Sequence, residues 1–321
     1  MSKPRLVLTR RLPAPVEQAM ARHFELLTNP EDRLLDSAEI VRRAQDHHAD
    51  ALQITLTERM DRAAIAALPA HVRLISTYSV GTNHIDLNAA QERDIAVSFT
   101  PEAVTEATAD VALLLLLAAC RRAHEFQLSL RQGQWGAWNA WKNLGWDPGG
   151  EVLGLVGLGR IGQAVARRAR AFGMNIHYHQ RHRLPARQEQ GACYHDSLQS
   201  LFAASRFVSL HTPTTPQTKG FINRESLSWL PDGAIFINTA RGDQVDDDAL
   251  IEALGNGKLA AAGLDVFAGE PAFDRRYLDL PNAYLLPHIG TSTESTRMRM
   301  GQDCIANLCA FFRGEPMPWP V

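Results

Sequence analysis

Short apolar runs alternate with amphipathic stretches through the first hundred residues. A short apolar run is typical of a buried strand, and apolar residues that recur every three or four positions are typical of a helix. Alternation of the two indicates a parallel sheet covered by helices on both faces. The predicted strands are 6–9, 51–54 and 74–77, and the predicted helices are 14–24, 38–47 with a cap at Ser37, and 61–68.

The alternation of strands and helices resumes after residue 150. Between the two series, a helix is predicted from Pro101 through residue 122 and on to 130, and its first part is apolar nearly all round, so we expect it to be buried. We place a domain boundary ahead of it, near Phe99. The predicted fold class is therefore α/β, with two doubly wound parallel sheets. The later predicted strands are 152–156, 174–179, 207–211, 234–238, 261–266 and 284–286.

A glycine-rich turn follows the strand at 152–156 and reads Gly157-x-Gly159-x-x-Gly162. Strand, tight turn and helix come in the order that a dinucleotide-binding turn requires. Gly157 permits the sharp turn, Gly159 lets the backbone approach a pyrophosphate, and Gly162 lets helix and strand pack closely. The amides at the start of the helix then favour phosphate groups. The alternative is a glycine-rich turn that only allows close packing.

The next strand ends without the acidic residue that would bind the ribose hydroxyls of NAD. The chain there reads His179-Gln180-Arg181-His182-Arg183. An arginine can pair with the 2′-phosphate of NADP through charge-assisted hydrogen bonds. We therefore expect NADP as the preferred cofactor, with NAD as the alternative. The other interpretation is that these are solvated loop charges.

Composition and charge exclude several classes of protein. Of the 321 residues, 45% are hydrophobic and 21% are charged, which is typical of a globular chain. The 33 basic and 35 acidic residues give a net charge of −2, so no global field attracts nucleic acid or an anionic membrane. The four cysteines are scattered, and no apolar block resembles a signal peptide or a membrane span. We expect a cytoplasmic protein without a metal site.

Four tryptophans fall in a loop-like stretch before the glycine turn. They lie among glycines and polar residues, and they are Trp135, Trp138, Trp141 and Trp146. This apolar area is too large to leave in water, so we expect it to cover a domain or subunit interface. Packing within the chain is the alternative.

Three later strands end in residues suited to carbonyl chemistry: Arg241, Glu270 and His288. The carboxyl ends of parallel strands lie on one rim of the sheet, so we expect these side chains near the nucleotide turn. A carbonyl reduced by hydride needs a proton, which histidine can supply near neutral pH. Glu270 would orient the ring and favour imidazolium, and Arg241 would hold a neighbouring carboxylate. Taken singly, they are a turn glutamate, a solvated arginine and a capping histidine.

A further turn, Tyr78-Ser79-Val80-Gly81, follows the strand at 74–77. Its backbone amides are placed to bind an anion beyond the end of a strand. The alternative is an ordinary strand-to-helix loop with Asp86 near a helix cap.

The chain resembles the D-isomer-specific 2-hydroxyacid dehydrogenases through four motifs in order. Within this family it is most similar to the glyoxylate/hydroxypyruvate and 2-ketogluconate reductases, through Ser79-Val80-Gly81, residues 105–110 and the arginines after His179. The four motifs are Gly157 to Gly162, Asn238-Thr239-Ala240-Arg241-Gly242-Asp243-Gln244-Val245-Asp246, the Leu-Asp-Val and Glu-Pro segment from Leu264 to Pro271, and Pro287-His288-Ile289-Gly290.

The resemblance implies roles for particular residues. Arg241 is the expected substrate anchor, Glu270 the partner of His288, and His288 the acid/base, while the backbone of Val80 and Gly81 is expected to bind the substrate carboxylate. The cofactor contacts expected from the motifs and the strand ends are Thr108, Gly157, Gly159, Arg160, Ile161, Gly162, His179, Arg181, Arg183, His211, Thr239, Ala240, Asp265 and Gly290.

The resemblance also implies an architecture and an activity. Residues 1–99 and 288–321 are expected to form a flavodoxin-like substrate domain, and residues 100–287 an inserted Rossmann domain that binds NAD(P), in a homodimer. The expected reaction is the NADP-dependent reduction of glyoxylate, hydroxypyruvate or 2-ketogluconate to a D-2-hydroxy acid. The alternatives are a dehydrogenase for another D-2-hydroxy acid and a cofactor-sensing protein similar to corepressors of this fold. A phosphite-oxidising relative is disfavoured, because that group is expected to have a lysine in the Ser79-Val80-Gly81 loop.

Overall fold

The chain divides into two compact units, which are described separately. This computed structural model describes residues 3–321, so Met1 and Ser2 of the predicted segment 1–99 lie outside the described residues. The first unit is Met1–Val104 with Ser292–Val321, and the second is Thr105–Thr291. The predicted boundaries fall a few residues earlier in the chain. Residues 101–104 form a turn that stays with the first unit, and His288, three residues after the last strand of the second unit, stays with that unit.

The first unit alternates short strands with helices, as its hydrophobic pattern predicts. Its elements up to residue 98 are β1 (Arg5–Leu8), α1 (Ala14–His23), β2 (Glu25–Leu27), α2 (Ser37–Asp46), β3 (Ala51–Ile54), α3 (Arg62–Ala67), β4 (Leu74–Thr77), α4 (Leu87–Glu92) and β5 (Ala96–Ser98). The strands form one parallel sheet in the order β2-β1-β3-β4-β5. This order is that of flavodoxin-like sheets, which confirms the predicted fold class for this unit.

The second unit contains a larger parallel sheet. Its elements are α5 (Thr105–Cys120), α6 (Ala123–Arg131), β6 (Val152–Val156), α7 (Arg160–Ala171), β7 (Asn175–His179), α8 (Ala186–Glu189), β8 (Cys193–His195), α9 (Leu198–Ala203), β9 (Phe207–Leu210), α10 (Arg224–Ser228), β10 (Ala234–Asn238), α11 (Asp247–Gly255), β11 (Leu259–Leu264) and β12 (Ala283–Leu285). The sheet order is β12-β11-β10-β9-β6-β7-β8. The order reverses between β6 and β9, which is the switch point where a Rossmann sheet binds its ligand. After β12 the chain returns to the first unit as α12 (Glu294–Phe312).

Two local predictions differ from the structure. The long helix predicted from Pro101 starts at Thr105 and breaks after α5, because Arg122 adopts a left-handed backbone with φ of 54°. The cap of α2 is Asp36 and not Ser37, since the Asp36 side chain accepts a hydrogen bond from the Glu39 amide. The hydroxyl of Ser37 donates instead to the carbonyl of Arg59.

Two apolar clusters cover the faces of the second unit's sheet, and a third lies in the first unit. In the second unit, one cluster includes Leu115 and Leu153 and the other includes Phe236 and Leu250. The third cluster is centred on β3 and β4. None of the helices in residues 3–321 is both long and apolar enough to cross a bilayer.

Candidate active site

The glycine turn between β6 and α7 has the geometry that its three glycines predict. Gly157 has φ of 97°, and a Cβ there would lie 2.7 Å from the carbonyl oxygen of His211. At Gly162 a Cβ would lie 2.2 Å from the carbonyl oxygen of Gly157, so the helix can start this close to the turn only with glycine. A Cβ on Gly159 would meet nothing within 4 Å. The space beside Gly159 and the start of α7 therefore fits a pyrophosphate.

Gln180 supports this turn, a role that sequence reasoning did not assign. Its side-chain oxygen accepts a 3.0 Å hydrogen bond from the Leu158 amide. From α7, Gln163 donates to the carbonyl of Leu158 at 3.0 Å. These two bonds hold the middle of the turn from both sides, and only the three-dimensional structure brings residue 180 to residue 158.

Three predicted cofactor contacts at the end of β7, His179, Arg181 and Arg183, have different surroundings. His179 lies 2.9 Å through Nδ1 from the carbonyl oxygen of His195. Arg183 donates from Nε and Nη2 to the two carboxylate oxygens of Glu189, at 2.8 and 3.2 Å. Arg181 is exposed and takes part in none of the ion pairs in the described part of the chain. Of the two arginines, Arg181 is therefore the one available to an added anion.

The segment after β10 is folded around Asn238. Its side chain accepts from the Ala240 amide and donates to the Arg241 carbonyl, each at 2.9 Å. Between them, Thr239 is 7% exposed, and its buried hydroxyl has no hydrogen-bond partner in residues 3–321. A buried hydroxyl without a partner costs free energy unless a ligand bonds it. This orphaned hydroxyl at the same rim as the glycine turn fits a bound dinucleotide.

Arg241 is a desolvated cation. Its Nη1 donates to the carbonyl of Ala240 at 2.6 Å, and it makes no ion pair within residues 3–321. Burial lowers the pKa of Arg241, while attraction by Glu270 and Asp243 opposes this effect. A buried charge is costly without a counter-ion, so a carboxylate ligand would satisfy it.

Gly242 sets the distance between the Arg241 and Glu270 segments. A Cβ on Gly242 would lie 1.8 Å from the carbonyl carbon of Phe267 and 2.2 Å from the Ala268 nitrogen. The two backbones touch, so no larger residue fits without displacing one of them. The Asn-x-x-Arg-Gly motif contains this glycine. The sequence does not show that Gly242 lies against the backbone of Phe267 and Ala268.

Asp265 holds the loop that contains His288. Its two carboxylate oxygens accept from the amides of Ile289 and Gly290, at 2.7 and 2.8 Å. Burial raises the pKa of Asp265, and these amides and the charge of His288 oppose the shift. His288 itself has φ of 53°, a left-handed conformation that is uncommon for residues other than glycine. Asp265 therefore maintains an unfavourable backbone conformation at the predicted catalytic residue.

His288 and Glu270 form a direct pair, at 2.5 Å between Nδ1 and Oε1. The other Glu270 oxygen accepts from the Phe267 amide at 3.2 Å. Burial alone would raise the pKa of Glu270, but the hydrogen bond and charge of His288, together with the Phe267 amide and Arg241, lower it. Glu270 is thus a carboxylate at neutral pH. Because Nδ1 is engaged, Nε2 of His288 is the nitrogen left for a substrate.

The remaining predicted cofactor residues of this unit lie near the same rim. His211 follows β9, and its Nε2 lies 2.9 Å from the hydroxyl of Ser209. Burial lowers the pKa of His211 to about 3, so its ring is neutral. Thr108 of α5 donates to the Gly290 carbonyl at 3.5 Å. Arg160 and Ile161 form the first turn of α7, and Ala240 precedes Arg241.

Val80 and Gly81 belong to the first unit and are half-buried. The hydroxyl of Ser79 donates to the carbonyl of Gly81 at 2.7 Å, which curls the turn after β4. Asp86 caps α4 by accepting from the Ala89 amide at 2.9 Å, as the alternative interpretation of this loop predicts. Binding of a carboxylate by the Val80 and Gly81 amides stays a prediction.

The known proteins that resemble this chain indicate one family. The sequence model for the D-isomer specific 2-hydroxyacid dehydrogenase NAD binding domain matches residues 113–290. The chain is 41% identical to a glycerate dehydrogenase of Hyphomicrobium methylovorum, over 100% of both chains. It is 40% identical to a glyoxylate reductase of Thermococcus kodakarensis, over 98% of this chain and 95% of that protein.

A solved structure with the same architecture contains ligands. It is an NADPH-dependent glyoxylate/hydroxypyruvate reductase from Sinorhizobium meliloti, in complex with NADP and malonate. The TM-score is 0.88 at 33% identity, covering 100% of this chain and 97% of that one.

Proposed function

Because this chain belongs to the D-isomer-specific 2-hydroxyacid dehydrogenase family, we propose that it is an NADPH-dependent reductase of small 2-keto acids, with glyoxylate and hydroxypyruvate as the first candidates and 2-ketogluconate as a larger one. The observation on which this proposal rests is the pair of His288 and Glu270 beside the desolvated Arg241. All three follow strands of the sheet that also has the glycine turn.

Each of these side chains has one task in the proposed reaction. Arg241 binds the carboxylate of the keto acid, since its guanidinium is desolvated and makes no direct ion pair within residues 3–321. His288 donates a proton from Nε2 to the carbonyl oxygen as that oxygen becomes a hydroxyl. Glu270 keeps the ring in place through Nδ1 and stabilises the imidazolium. A nicotinamide cofactor bound at the glycine turn would supply the hydride for the reduction.

The dinucleotide is held by residues at the switch point in this proposal. Gly157, Gly159 and the start of α7 would receive the pyrophosphate, and the orphaned hydroxyl of Thr239 would gain a partner. The preference for NADPH rests on Arg181, which is exposed and outside the ion pairs, at a strand end without an acidic residue. NAD remains the alternative cofactor.

We also propose that the protein is a cytoplasmic homodimer. Trp135, Trp138 and Trp141 are 76%, 88% and 74% exposed, whereas Trp146 packs on an apolar cluster of its own unit. Three exposed indoles in one segment are a large apolar surface, which a second copy of the chain would cover.

Initial rates test the proposed function most simply. We expect oxidation of NADPH in the presence of glyoxylate, hydroxypyruvate or 2-ketogluconate, with pyruvate as a comparison, and slower rates with NADH. Absence of turnover with all four keto acids and both cofactors would contradict the proposed reductase activity. Faster rates with NADH would contradict only the cofactor preference.

A further inference from the structure

The edge of the second sheet carries a group of side chains that the reductase does not use. Parallel β7 and β8 pair in register, with His177 opposite Cys193, Tyr178 opposite Tyr194 and His179 opposite His195. Side chains alternate between the two faces of a strand. Both tyrosines therefore share one face, where they pack on the core. The histidines and Cys193 share the other face.

Three of these side chains converge. Nδ1 of His177 lies 2.9 Å from Nε2 of His195. One nitrogen of each of these two rings and the sulfur of Cys193 all lie within 4.8 Å of one another. Both histidines are half-buried and Cys193 is exposed, so the group is open to solvent on one side.

These separations suit a tetrahedral metal ion. At the tetrahedral angle, bonds of about 2.0 Å to nitrogen and about 2.3 Å to sulfur place two nitrogens about 3.3 Å apart and a nitrogen and a sulfur about 3.5 Å apart. The two ring nitrogens are 2.9 Å apart, and each lies within 4.8 Å of the sulfur. Small rotations of the three side chains would therefore bring these atoms to the tetrahedral separations. Imidazole and thiolate together select zinc and similar transition metals over magnesium or calcium.

We propose that His177, Cys193 and His195 bind one divalent transition metal ion, zinc first of all, through Nδ1, Sγ and Nε2 respectively. Water takes the fourth position, as in other sites with three protein ligands. The thiol of Cys193 loses its proton to solvent when the ion binds, while the proton shared between the two rings is exchanged through solvent to Nε2 of His177, so that both imidazoles bind as neutral ligands.

The neighbouring helix α9 orients one of these ligands. The hydroxyl of Ser200 lies 3.1 Å from Nδ1 of His195. It also lies 3.5 Å from a carboxylate oxygen of Asp196. A hydrogen bond from Nδ1–H to this hydroxyl leaves the lone pair on Nε2, the atom that faces His177. Metal-binding histidines usually have such a partner on their second nitrogen.

Metal titration of the full-length, chelator-treated protein tests the site without reference to activity. We expect one equivalent of Co²⁺ to bind and to produce a thiolate-to-cobalt charge-transfer absorption, which Zn²⁺ then displaces. Cys193→Ser should abolish that absorption, and His177→Gln or His195→Gln should weaken binding at least about tenfold. Ser200→Ala should weaken it less than the ligand variants do.

A second pair of histidines provides the matched control. The rings of His48 and His71 are 5.8 Å apart, and no cysteine joins them in a metal-binding group among residues 3–321. His71→Gln should leave both the stoichiometry and the absorption unchanged. The site is wrong if wild-type protein binds no Co²⁺ at micromolar metal. It is also wrong if Cys193→Ser and His177→Gln bind Co²⁺ as the wild type does.

Discussion

A Cβ on Gly242 would lie 1.8 Å from the carbonyl carbon of Phe267, so the backbone after β10 touches the backbone after β11. Arg241 precedes one side of this contact, and Glu270 follows the other. The contact therefore sets the spacing between the proposed substrate anchor and the partner of His288.

Gly242→Ala should disturb both stability and catalysis. The added methyl group must displace a backbone, and overpacking of this kind costs about 1–3 kcal/mol or more. Gly255 at the end of α11 is the control, because a Cβ there would meet nothing within 4 Å. We expect urea denaturation to show a clear loss for Gly242→Ala and little change for Gly255→Ala. Equal stabilities would mean that this contact is not tight.

The cofactor preference should depend on Arg181 more than on Arg183. Arg183 is paired with Glu189, whereas Arg181 makes no ion pair in the described chain. Arg181→Ala should raise the Michaelis constant for NADPH by roughly 5- to 150-fold, equivalent to 1–3 kcal/mol for one charge-assisted contact, and leave that for NADH unchanged. Arg183→Ala should have a smaller effect. Equal losses with NADPH and NADH would argue against a 2′-phosphate contact.

The exposed tryptophans should affect association and substrate range. We expect that Trp138 or Trp141 reaches the substrate end of the partner subunit in a dimer. Trp138→Ala and Trp141→Ala should then change the ratio of rates between glyoxylate and larger keto acids. Sedimentation of each variant shows whether it is still dimeric. An unchanged ratio in a dimeric variant would leave these residues with a packing role only.

Stability in mild acid should depend on His211. Its pKa falls from 6.5 to about 3 on burial, so between these values the unfolded chain binds a proton that the folded chain does not. Stability should therefore fall as the pH is lowered from about 6.5, by roughly 3–5 kcal/mol in total by pH 3. Denaturation of the cofactor-free His211→Gln variant at several pH values should show a smaller loss of stability with falling pH than the wild type shows. Parallel curves for wild type and variant would contradict this.

The fold was predictable to the extent that elements were long or fully buried. The apolar runs that became β6, β9 and β10 were predicted in order, and the parallel arrangement followed from their alternation with helices. The edge strands β2, β5 and β8 were missed, because three residues show no clear periodicity. The break at Arg122 was also missed, since the apolar pattern continues on both sides of it.

The candidate site was predictable only through its motifs. Arg241, Glu270 and His288 could be placed on one rim because parallel strands end there. The hydrogen bonds that hold the surrounding loops are tertiary contacts. Asp265 accepts from the amides of the His288 loop, and Gln180 accepts from an amide of the glycine turn. Such contacts join residues distant in sequence, and no spacing along the chain predicts which side chain meets which amide.

The role of His288 is tested most directly by measuring turnover and cofactor binding in the same variants. His288→Asn removes the acid, and Glu270→Gln removes the charged hydrogen-bond partner of Nδ1, while the glycine turn is unchanged. With hydroxypyruvate and NADPH, we predict that His288→Asn lowers kcat by about 10²–10⁴ and leaves the dissociation constant of NADPH within about twofold. Near-normal kcat in His288→Asn, with NADPH bound as in the wild type, would contradict the assignment of His288 as the proton donor.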